Sequence, residues 1–253
     1  MDEIIERYEY KYLIPERLIT AIRGTVRTTS KLDKYADANG RYRIRSLYFD
    51  TDRYDLYWAN ERKQWDRFKL RARMYPGAEK SPVFLEVKRR VKDVIIKTRA
   101  AVPASTWREV LAGKSEALST LSPSARAGVQ RFLAPYHRHH TNPVVLVEYE
   151  REAYISELEN YARLTFDRMI SVQSKTRLEL DADPRRWRLI DHPVQTRTQE
   201  PVTVLELKFE RRPPAWMSAM VKRLELVRYS FSKYCYGVTA ELTLPGSRCT
   251  LAR

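Results

Sequence analysis

Three segments between residues 68 and 102 decide the fold of this chain: FKLRARMY from Phe68, VFLEVKRRV from Val83 and VIIKTRAAV from Val94. Charged and apolar residues alternate in each segment. A period of two predicts β-strands that carry charges on one face of a sheet and apolar side chains on the other. Neighbouring cations repel one another unless an anion neutralises them, so three such strands side by side need an anionic partner. We predict that their basic faces line a cavity for a polyanion, with polyphosphate as the favoured ligand.

The composition also indicates an anionic ligand. The 253 residues include 47 lysines and arginines against 32 aspartates and glutamates, which gives a formal net charge of +15. Such a balance favours nucleic acid, an anionic membrane or phosphate-rich small molecules as partners. The basic residues are spread along the chain, which argues against a disordered binding arm. The length corresponds to one large domain or two small ones, and a single closed barrel is common at this size.

The common phosphate-loop and nucleophile motifs are absent from the sequence. The chain has only seven glycines, and neither GxxxxGK(S/T) nor GxGxxG occurs. Phosphate would therefore be held by side chains rather than by a glycine-rich loop at a helix N-terminus. No GxSxG motif or Cys–His pair indicates covalent catalysis.

The N-terminal residues and the cysteines indicate a cytoplasmic protein. The chain is charged from its second residue, which is not typical of a signal peptide. The longest apolar runs are only a few residues, as at 144–147, and are too short for a transmembrane helix. Cys235 and Cys249 show no metal-ligand spacing and are interpreted as reduced thiols.

The alternation extends to eight predicted strands with helices between them. The strands are predicted at residues 5–14, 42–51, 68–75, 83–91, 94–102, 144–156, 162–173 and 201–210. Helices are predicted after Pro15, within 52–65, within 105–138 with caps at Ser105 and Ser124, after Pro214, and in the tail from Ser230 or Ser232. Residues 174–200 are predicted as a long loop. Amphipathic helices need an apolar surface to cover, which favours an α+β fold: an eight-stranded β-barrel with a charged lumen and the helices packed outside.

The charged faces of the strands supply the candidate site residues. The basic candidates are Lys11, Arg71, Arg73, Lys88, Lys97, Arg99, Arg151, Lys208 and Lys233, and the interleaved carboxylates are Glu9, Glu86, Glu148, Glu150, Asp167 and Glu206. Arginine donates bidentate hydrogen bonds to phosphate oxygens, and lysine supplies a mobile point charge. The carboxylates either neutralise neighbouring cations or hold a divalent ion that bridges phosphates, and Glu206 is the first choice for the second role.

Two positions leave alternatives open. Glu9 and Lys11 are either a metal ligand beside a phosphate clamp or part of a solvated strand face, and this segment alone favours the solvated face. Arg151 falls on the strand face opposite Glu148 and Glu150. Either a bulge intervenes, or the two glutamates point outward and Arg151 points inward. We favour the second arrangement.

A series of short motifs, taken in chain order, resembles a known family. The motifs are EYKY at 9–12, SLYFDT at 46–51, KLRARMY at 69–75, FLEVKRR at 84–90, KTR at 97–99, YER at 149–151, RLTFD at 163–167, VLELKF at 204–209 and SKY at 232–234. They resemble the catalytic domain of the vacuolar transporter chaperone (VTC) family, one of the triphosphate tunnel metalloenzymes, with the CYTH proteins as relatives. The resemblance implies a single domain over residues 1–253, built as an eight-stranded antiparallel tunnel.

The resemblance also implies an activity and residue roles. The family polymerises inorganic polyphosphate from ATP with Mn²⁺ or Mg²⁺, so ATP and polyphosphate are the expected partners, and no nucleic acid is expected. We assign catalytic roles to Lys11, Arg71, Arg73, Lys88, Lys97 and Arg151, substrate binding to Tyr48, Arg99, Lys208, Ser232 and Lys233, and metal binding to Glu9 and Glu206. Ser230 stands where the family pattern has a basic residue. A membrane protein that receives the product is an open question.

Three functions are compatible with the same basic lining. The first is a polyphosphate polymerase. The second is a hydrolase of tripolyphosphate or nucleoside triphosphates, in which water replaces the phosphate chain as the acceptor. The third is a non-enzymatic protein that binds polyanions or RNA, for which exposed aromatic residues would be interleaved with the basic face. The sequence favours the polymerase.

Overall fold

The structure, a computed structural model, describes residues 7–78, 81–92, 94–159 and 161–243. Ten strands lie within these ranges: β1 (Arg7–Pro15), β2 (Ser30–Leu32), β3 (Tyr42–Asp50), β4 (Asp66–Met74), β5 (Val83–Val91), β6 (Val94–Val102), β7 (Asn142–Ser156), β8 (Ala162–Ser174), β9 (Arg188–Leu189) and β10 (Val202–Glu210). The eight longer strands are the eight that the alternation predicts. The first two residues of the predicted 5–14 strand and Cys249 lie outside the described ranges.

Eight α-helices connect the strands of the described chain: α1 (Leu18–Val26), α2 (Asp55–Glu61), α3 (Trp107–Leu111), α4 (Ser115–Ser119), α5 (Pro123–Arg138), α6 (Pro193–Thr196), α7 (Ala215–Arg223) and α8 (Lys233–Leu242). The predicted cap at Ser124 is wrong. Pro123 occupies the first turn of α5, and the Ser122 hydroxyl accepts a hydrogen bond from the Ala125 amide at 3.3 Å. The predicted cap at Ser105 is also wrong, because Thr106 precedes α3. None of the described helices is long and apolar enough to cross a membrane.

The strands form one hydrogen-bonded sheet in the order β1-β10-β8-β7-β3-β4-β5-β6, with β2 beside β7 and β9 beside β8. The pairs whose register is defined are antiparallel. The predicted α+β fold with an antiparallel eight-strand path is therefore confirmed. The short strands β2 and β9 escaped prediction because two or three residues cannot display a period of two. The predicted loop at 174–200 is wrong in part, since it contains a 3₁₀-helix (Pro184–Arg186), β9 and α6.

The chain divides into two compact units. The first unit comprises Met1–Arg43, Tyr149–Ser171 and Leu189–Ser232, and the second comprises Ile44–Glu148, Val172–Arg188 and Lys233–Arg253. The single domain over residues 1–253 stays a prediction.

The first unit has a core on the apolar face of β1, β8 and β10. Tyr12 and Ile14 from β1 pack with Leu205 and Leu207 from β10 beneath helices α1 and α7. All four side chains are at most 3% exposed. Because side chains alternate along a strand, the residues between them, such as Glu206, point to the opposite face.

The second unit has a core between β3–β6 and the helices that follow β6. Apolar residues at alternate positions, such as Leu70 in β4 and Leu85 in β5, pack with Phe132 of α5. A Cβ atom at Gly128 would lie 3.0 Å from the Ala100 Cβ, so this glycine lets α5 approach β6 closely. Helices α3 and α5 therefore cover the apolar face, as the sequence predicts. Helix α8 departs from this prediction, because its Tyr234 stacks on Tyr48, which shares the charged face with Arg71.

Candidate functional site

Charged residues form two rows across β4, β5 and β6, one of three lysines and one of two arginines with a glutamate between them. Lys69 lies opposite Lys88, which lies opposite Lys97, and Arg71 lies opposite Glu86, which lies opposite Arg99. These rows follow from the two hairpin registers, and the members of each row share one face of the sheet. The sequence predicted the shared face of each strand. The register adds that three lysines stand side by side, where like charges destabilise the sheet unless an anion compensates them.

Four cations surround Glu86 and form what we call the Glu86 cluster: Arg71, Arg73, Lys97 and Arg99 with Glu86 at the centre. The Arg71 Nε donates to one Glu86 oxygen at 2.6 Å, and the Lys97 Nζ lies 3.1 Å from the other. Arg99 Nε lies at 3.4 Å and Arg73 Nε at 3.9 Å. Glu86 is only 1% exposed. One buried carboxylate on β5 thus holds four cations from the two neighbouring strands, β4 and β6, on one face.

The electrostatics of the Glu86 cluster favour further negative charge. Burial opposes ionisation of Glu86, but Arg71, Arg73 and Lys97 outweigh it and hold the pKa of this carboxyl below its usual range. Burial also lowers the pKa of Lys97 to about 8, and repulsion from Arg71 and Arg73 adds to that effect against the attraction of Glu86. The part of this shift that comes from Arg71 and Arg73 is charge repulsion, which a bound polyanion would relieve.

Tyr48 orients Arg71 from the neighbouring strand β3. The Arg71 Nη1 donates to the Tyr48 hydroxyl at 3.0 Å. Burial alone would raise the pKa of Tyr48. The nearby positive charges of Arg71 and Arg73 have the larger effect, so the pKa of Tyr48 lies below its usual value. The Tyr48 ring stacks on Tyr234 of α8 with 5.1 Å between ring centroids. The Tyr234 hydroxyl donates to buried Asp50, which fixes the ring beneath Tyr48.

A second group of paired charges lies in the first unit. We call it the Glu206 cluster, and it contains Glu9, Lys11, Arg151, Asp167, Glu206 and Lys208. The Lys11 Nζ lies 3.2 Å from Glu9 and 3.5 Å from Glu206, and the Lys208 Nζ lies 3.7 Å and 3.1 Å from the same two carboxylates. Two lysines and two glutamates therefore alternate across β1 and β10. Burial lowers the pKa of Lys11 and Lys208, but the glutamates outweigh it and raise both pKa values above the usual range.

Arg151 joins the Glu206 cluster from β7. Its Nε and Nη2 donate to the two Asp167 oxygens at 2.6 and 2.7 Å, and its Nη2 lies 3.6 Å from Glu206. Glu148 and Glu150 instead pair with arginines of their own units on the other strand face. Arg151 and these two glutamates therefore contact different partners, which agrees with the predicted arrangement of glutamates pointing outward and Arg151 pointing inward. Arg151 and Asp167 are both buried, so the pair holds the guanidinium in a fixed orientation.

Two of the three carboxylates in the Glu206 cluster, Glu9 and Glu206, are the candidate ligands of a divalent ion. No group of three or more His, Cys, Asp or Glu side chains suited to a metal occurs in the described part of the chain. Glu9 and Glu206 share both lysine partners, so their oxygens converge on one region of the strand face. Mg²⁺ is commonly bound by one or two carboxylates together with phosphate oxygens and water. The donor set therefore fits an ion that arrives with a phosphate ligand rather than a dedicated protein cage.

The structure brings most of the assigned residues into these clusters and leaves three at their margins. Lys88 occupies the lysine row, Ser232 immediately precedes α8, and Lys233 is its first residue. Lys233 is buried, and its charge contributes to the lowered pKa of Tyr48. The Lys11 Nζ also donates to the Phe231 carbonyl at 3.1 Å, next to Ser232.

Sequence reasoning missed the roles of Glu86, Asp167 and Asp50. Glu86 and Asp167 were among the interleaved carboxylates, but nothing in strand parity distinguishes a central buried anion from a peripheral one. The signal for Glu86 was its position between the arginines of two neighbouring strands, which requires knowledge of both hairpin registers. Asp50 contacts Tyr234 across 184 residues of sequence, a distance that no local pattern reveals.

We predict that tripolyphosphate affinity depends on the ionisation of Lys97. Affinity should fall as the pH rises through about 8, because Lys97 loses its proton there. A bound phosphate chain favours the protonated lysine, so binding near this pH should take up protons. Calorimetry in buffers of different ionisation enthalpy measures that uptake. The arginine of Lys97→Arg stays charged throughout this pH range, so the variant should lose the pH dependence of affinity. Tripolyphosphate also titrates in this range, but it does so equally with both proteins, so the difference between them reports on Lys97. An equal pH dependence in both proteins would contradict the prediction.

Comparison with solved structures establishes the class of fold. The Hippeastrum protein HpAC1, described as a candidate adenylyl cyclase with a dominant triphosphatase activity, matches with a TM-score of 0.50 and 14% identity over 95% of this chain and 98% of its own. The PH1819 protein of Pyrococcus horikoshii OT3 matches with a TM-score of 0.40 and 12% identity over 87% and 86% of the two chains. The likeness to HpAC1 shows that the two chains share a fold.

The family assignment rests on the sequence of nearly the whole chain. The model of the VTC domain matches residues 6–242. The chain therefore belongs to the VTC domain family, and the predicted resemblance is confirmed. No curated protein matches the chain in sequence.

Proposed function

We propose that this protein is a metal-dependent polyphosphate polymerase that transfers the γ-phosphate of ATP to the end of a growing inorganic polyphosphate chain. The Glu86 cluster is the observation that carries the proposal, because four cations from two strands share a single buried carboxylate on the strand between them. The surplus positive charge suits a ligand with closely spaced negative charges, as in a chain of phosphates. Membership of the VTC domain family supports the same conclusion.

The proposed transfer needs no nucleophile from the protein. A terminal oxygen of the phosphate chain attacks the γ-phosphorus of ATP, the bond to the oxygen that bridges the β- and γ-phosphates breaks, and ADP leaves. In the proposal, Arg71 and Arg73 bind phosphate oxygens through their guanidinium forks, while Lys97 and Arg99 add charge at the edge of the cluster. Their pairing with Glu86 holds these cations in place before the ligand arrives, which reduces the reorganisation needed in the transition state.

The Glu206 cluster is proposed to bind phosphates and a divalent ion. Lys11, Arg151 and Lys208 supply the phosphate contacts, and Asp167 fixes the direction of the Arg151 guanidinium. Glu9 and Glu206 would hold Mn²⁺ or Mg²⁺, which neutralises charge on the phosphate oxygens when it is bound. We propose further phosphate contacts from Lys88, Ser232 and Lys233. The expected compartment is the cytoplasm.

A hydrolase is the second candidate function. HpAC1, which shares the fold, is described as having a dominant triphosphatase activity. The same basic residues would stabilise the transferring phosphoryl group when water is the acceptor, so the charged face does not distinguish the two reactions. A non-enzymatic polyanion binder is the third candidate, and it predicts binding without metal-dependent turnover.

Incubation of the purified protein with γ-labelled ATP and Mn²⁺ tests the proposal. A polymerase produces ADP and a ladder of labelled polyphosphate on a gel, with little free phosphate. Labelled free phosphate in equal amount to ADP, without a ladder, would reject the polymerase in favour of the hydrolase. If neither polyphosphate nor free phosphate forms while tripolyphosphate still binds, the protein is a non-enzymatic polyanion binder. An Arg71→Ala preparation purified in parallel controls for contaminating kinases and phosphatases.

A further inference from the structure

The end of the sheet where β4 starts and β6 starts exposes large apolar side chains. Trp65 is 67% exposed, Val94 59%, Ile96 49% and Ile95 37%. We call these four residues the apolar tip. They lie in the second unit, and the core of that unit does not include them. Four large apolar groups close together at one end of a sheet are more than the single scattered residues that a protein surface normally carries.

The apolar tip is exposed on both faces of the sheet. Val94 and Ile96 share one face of β6, and Ile95 points to the opposite face. The strand β6 pairs with β5 and ends the strand path of the described chain. The Lys92 amide donates to the Trp65 carbonyl at 2.6 Å, which ties Trp65 to the end of β5. The tip is therefore an exposed apolar end of an edge strand, with side chains accessible on both faces of the sheet.

Cations surround the apolar tip. The exposed basic residues around it are Arg62, Lys63, Arg89, Arg90 and Lys92. Nearby described acidic groups are fewer: Glu61 is exposed, and Asp66 is paired with Arg89 through two short hydrogen bonds. The region thus combines an apolar edge with a positive surround.

The combination of charge and hydrophobicity selects one kind of partner. A second copy of this chain would bring the same cations against one another, and an uncharged apolar partner would leave them uncompensated. An anionic bilayer offers acidic headgroups for the cations and an apolar boundary for Val94 and Ile96. Tryptophan is also favoured at the boundary between headgroups and hydrocarbon.

We infer that the apolar tip and its surrounding cations dock this protein on the surface of an anionic lipid bilayer. The docked side chains insert only to the depth of the interface, and headgroup attraction adds to their burial. The inference is independent of the proposed enzymatic function, because the four residues of the apolar tip belong to neither charged cluster and docking requires no turnover.

Vesicle sedimentation tests the apolar part of the inference. The full chain is mixed with vesicles of phosphatidylcholine, with and without phosphatidylserine. We expect binding to the vesicles that contain phosphatidylserine and a loss of about tenfold or more in partitioning for Val94→Ser/Ile96→Ser, because two apolar side chains no longer enter the interface. The matched control is Leu158→Ser/Val194→Ser, at positions in the first unit that are 70% and 75% exposed. Equal partitioning of the two double variants would overturn the inference.

Charge reversal tests the electrostatic part. Lys63→Glu/Lys92→Glu should weaken binding more than Lys34→Glu/Lys222→Glu, which changes the net charge equally at exposed sites elsewhere. The emission of Trp65 should shift to shorter wavelength on vesicle binding, and this shift should be absent in Trp65→Ala. Two other results would reject the bilayer: equal binding to neutral vesicles, or self-association of the wild-type protein that Val94→Ser/Ile96→Ser abolishes, which would assign the tip to a second copy.

Discussion

Replacement of Glu206 by glutamine is expected to lower metal-dependent turnover by about a hundredfold or more, because this carboxylate is the principal proposed ligand of the divalent ion. Glu206 is 5% exposed and lies 3.5 Å from Lys11, 3.6 Å from Arg151 and 3.1 Å from Lys208. Glutamine keeps the size of the side chain and one acceptor oxygen, so the fold should be retained. Steady-state turnover across a Mn²⁺ titration, with ATP and with tripolyphosphate as substrates, measures the effect.

The alternative role for Glu206 is simple neutralisation of these three cations. In that case glutamine would leave the Mn²⁺ dependence unchanged and would strengthen tripolyphosphate binding, since it removes a competing negative charge. Calorimetric titration with tripolyphosphate, in the presence of EDTA and then of Mn²⁺, separates the two roles. Glu148→Gln is the matched control, because Glu148 pairs with Arg45 at 2.6 Å in the second unit and is not among the assigned residues. Wild-type turnover in Glu206→Gln would remove Glu206 from the metal site.

Replacement of Arg71 by alanine is expected to weaken tripolyphosphate binding about thirtyfold, which corresponds to the ~2 kcal/mol of a desolvated charge-assisted contact. Arg71 is oriented by two neighbouring side chains of the second unit. It donates to Glu86 at 2.6 Å and to the Tyr48 hydroxyl at 3.0 Å. Direct titration with tripolyphosphate measures the affinity, and circular dichroism checks that the variant is folded.

Arg45→Ala provides the control for Arg71→Ala. Arg45 also pairs with a glutamate at 2.6 Å, and its side chain is 16% exposed, close to the 18% of Arg71. It lies on β3 at a position of opposite parity to Tyr48, so its side chain points to the other face of the sheet. We expect its removal to leave tripolyphosphate affinity unchanged. Equal losses in the two variants would mean that net charge, rather than the Glu86 cluster, determines binding.

The eight long strands could be predicted because alternation is a local property. Each strand from β3 to β6 carries enough residues to display the period of two, and the burial of Leu70, Leu85 and Ala100 on one face follows directly. The same parity placed Arg151 opposite Glu148, which the contacts of the two side chains confirm. Prediction failed where the pattern was too short, as for β2 and β9, or where the start of a helix depended on one residue. Pro123 fixed the start of α5 and made Ser122 its cap.

The amino-acid sequence by itself determined the strands, their charged faces, the surplus of positive charge and, through its motifs, the family. These properties depend on neighbouring residues or on sums over the chain, so they can be predicted from the sequence without knowledge of tertiary contacts. Only the tertiary structure decided which charges meet. Strand register places Glu86 between Arg71 and Arg99, and chain folding brings Tyr234 to Asp50. Ion pairs of this kind depend on distances of a few ångströms between residues remote in sequence, and alternation specifies the face of a side chain but not its neighbour across the sheet.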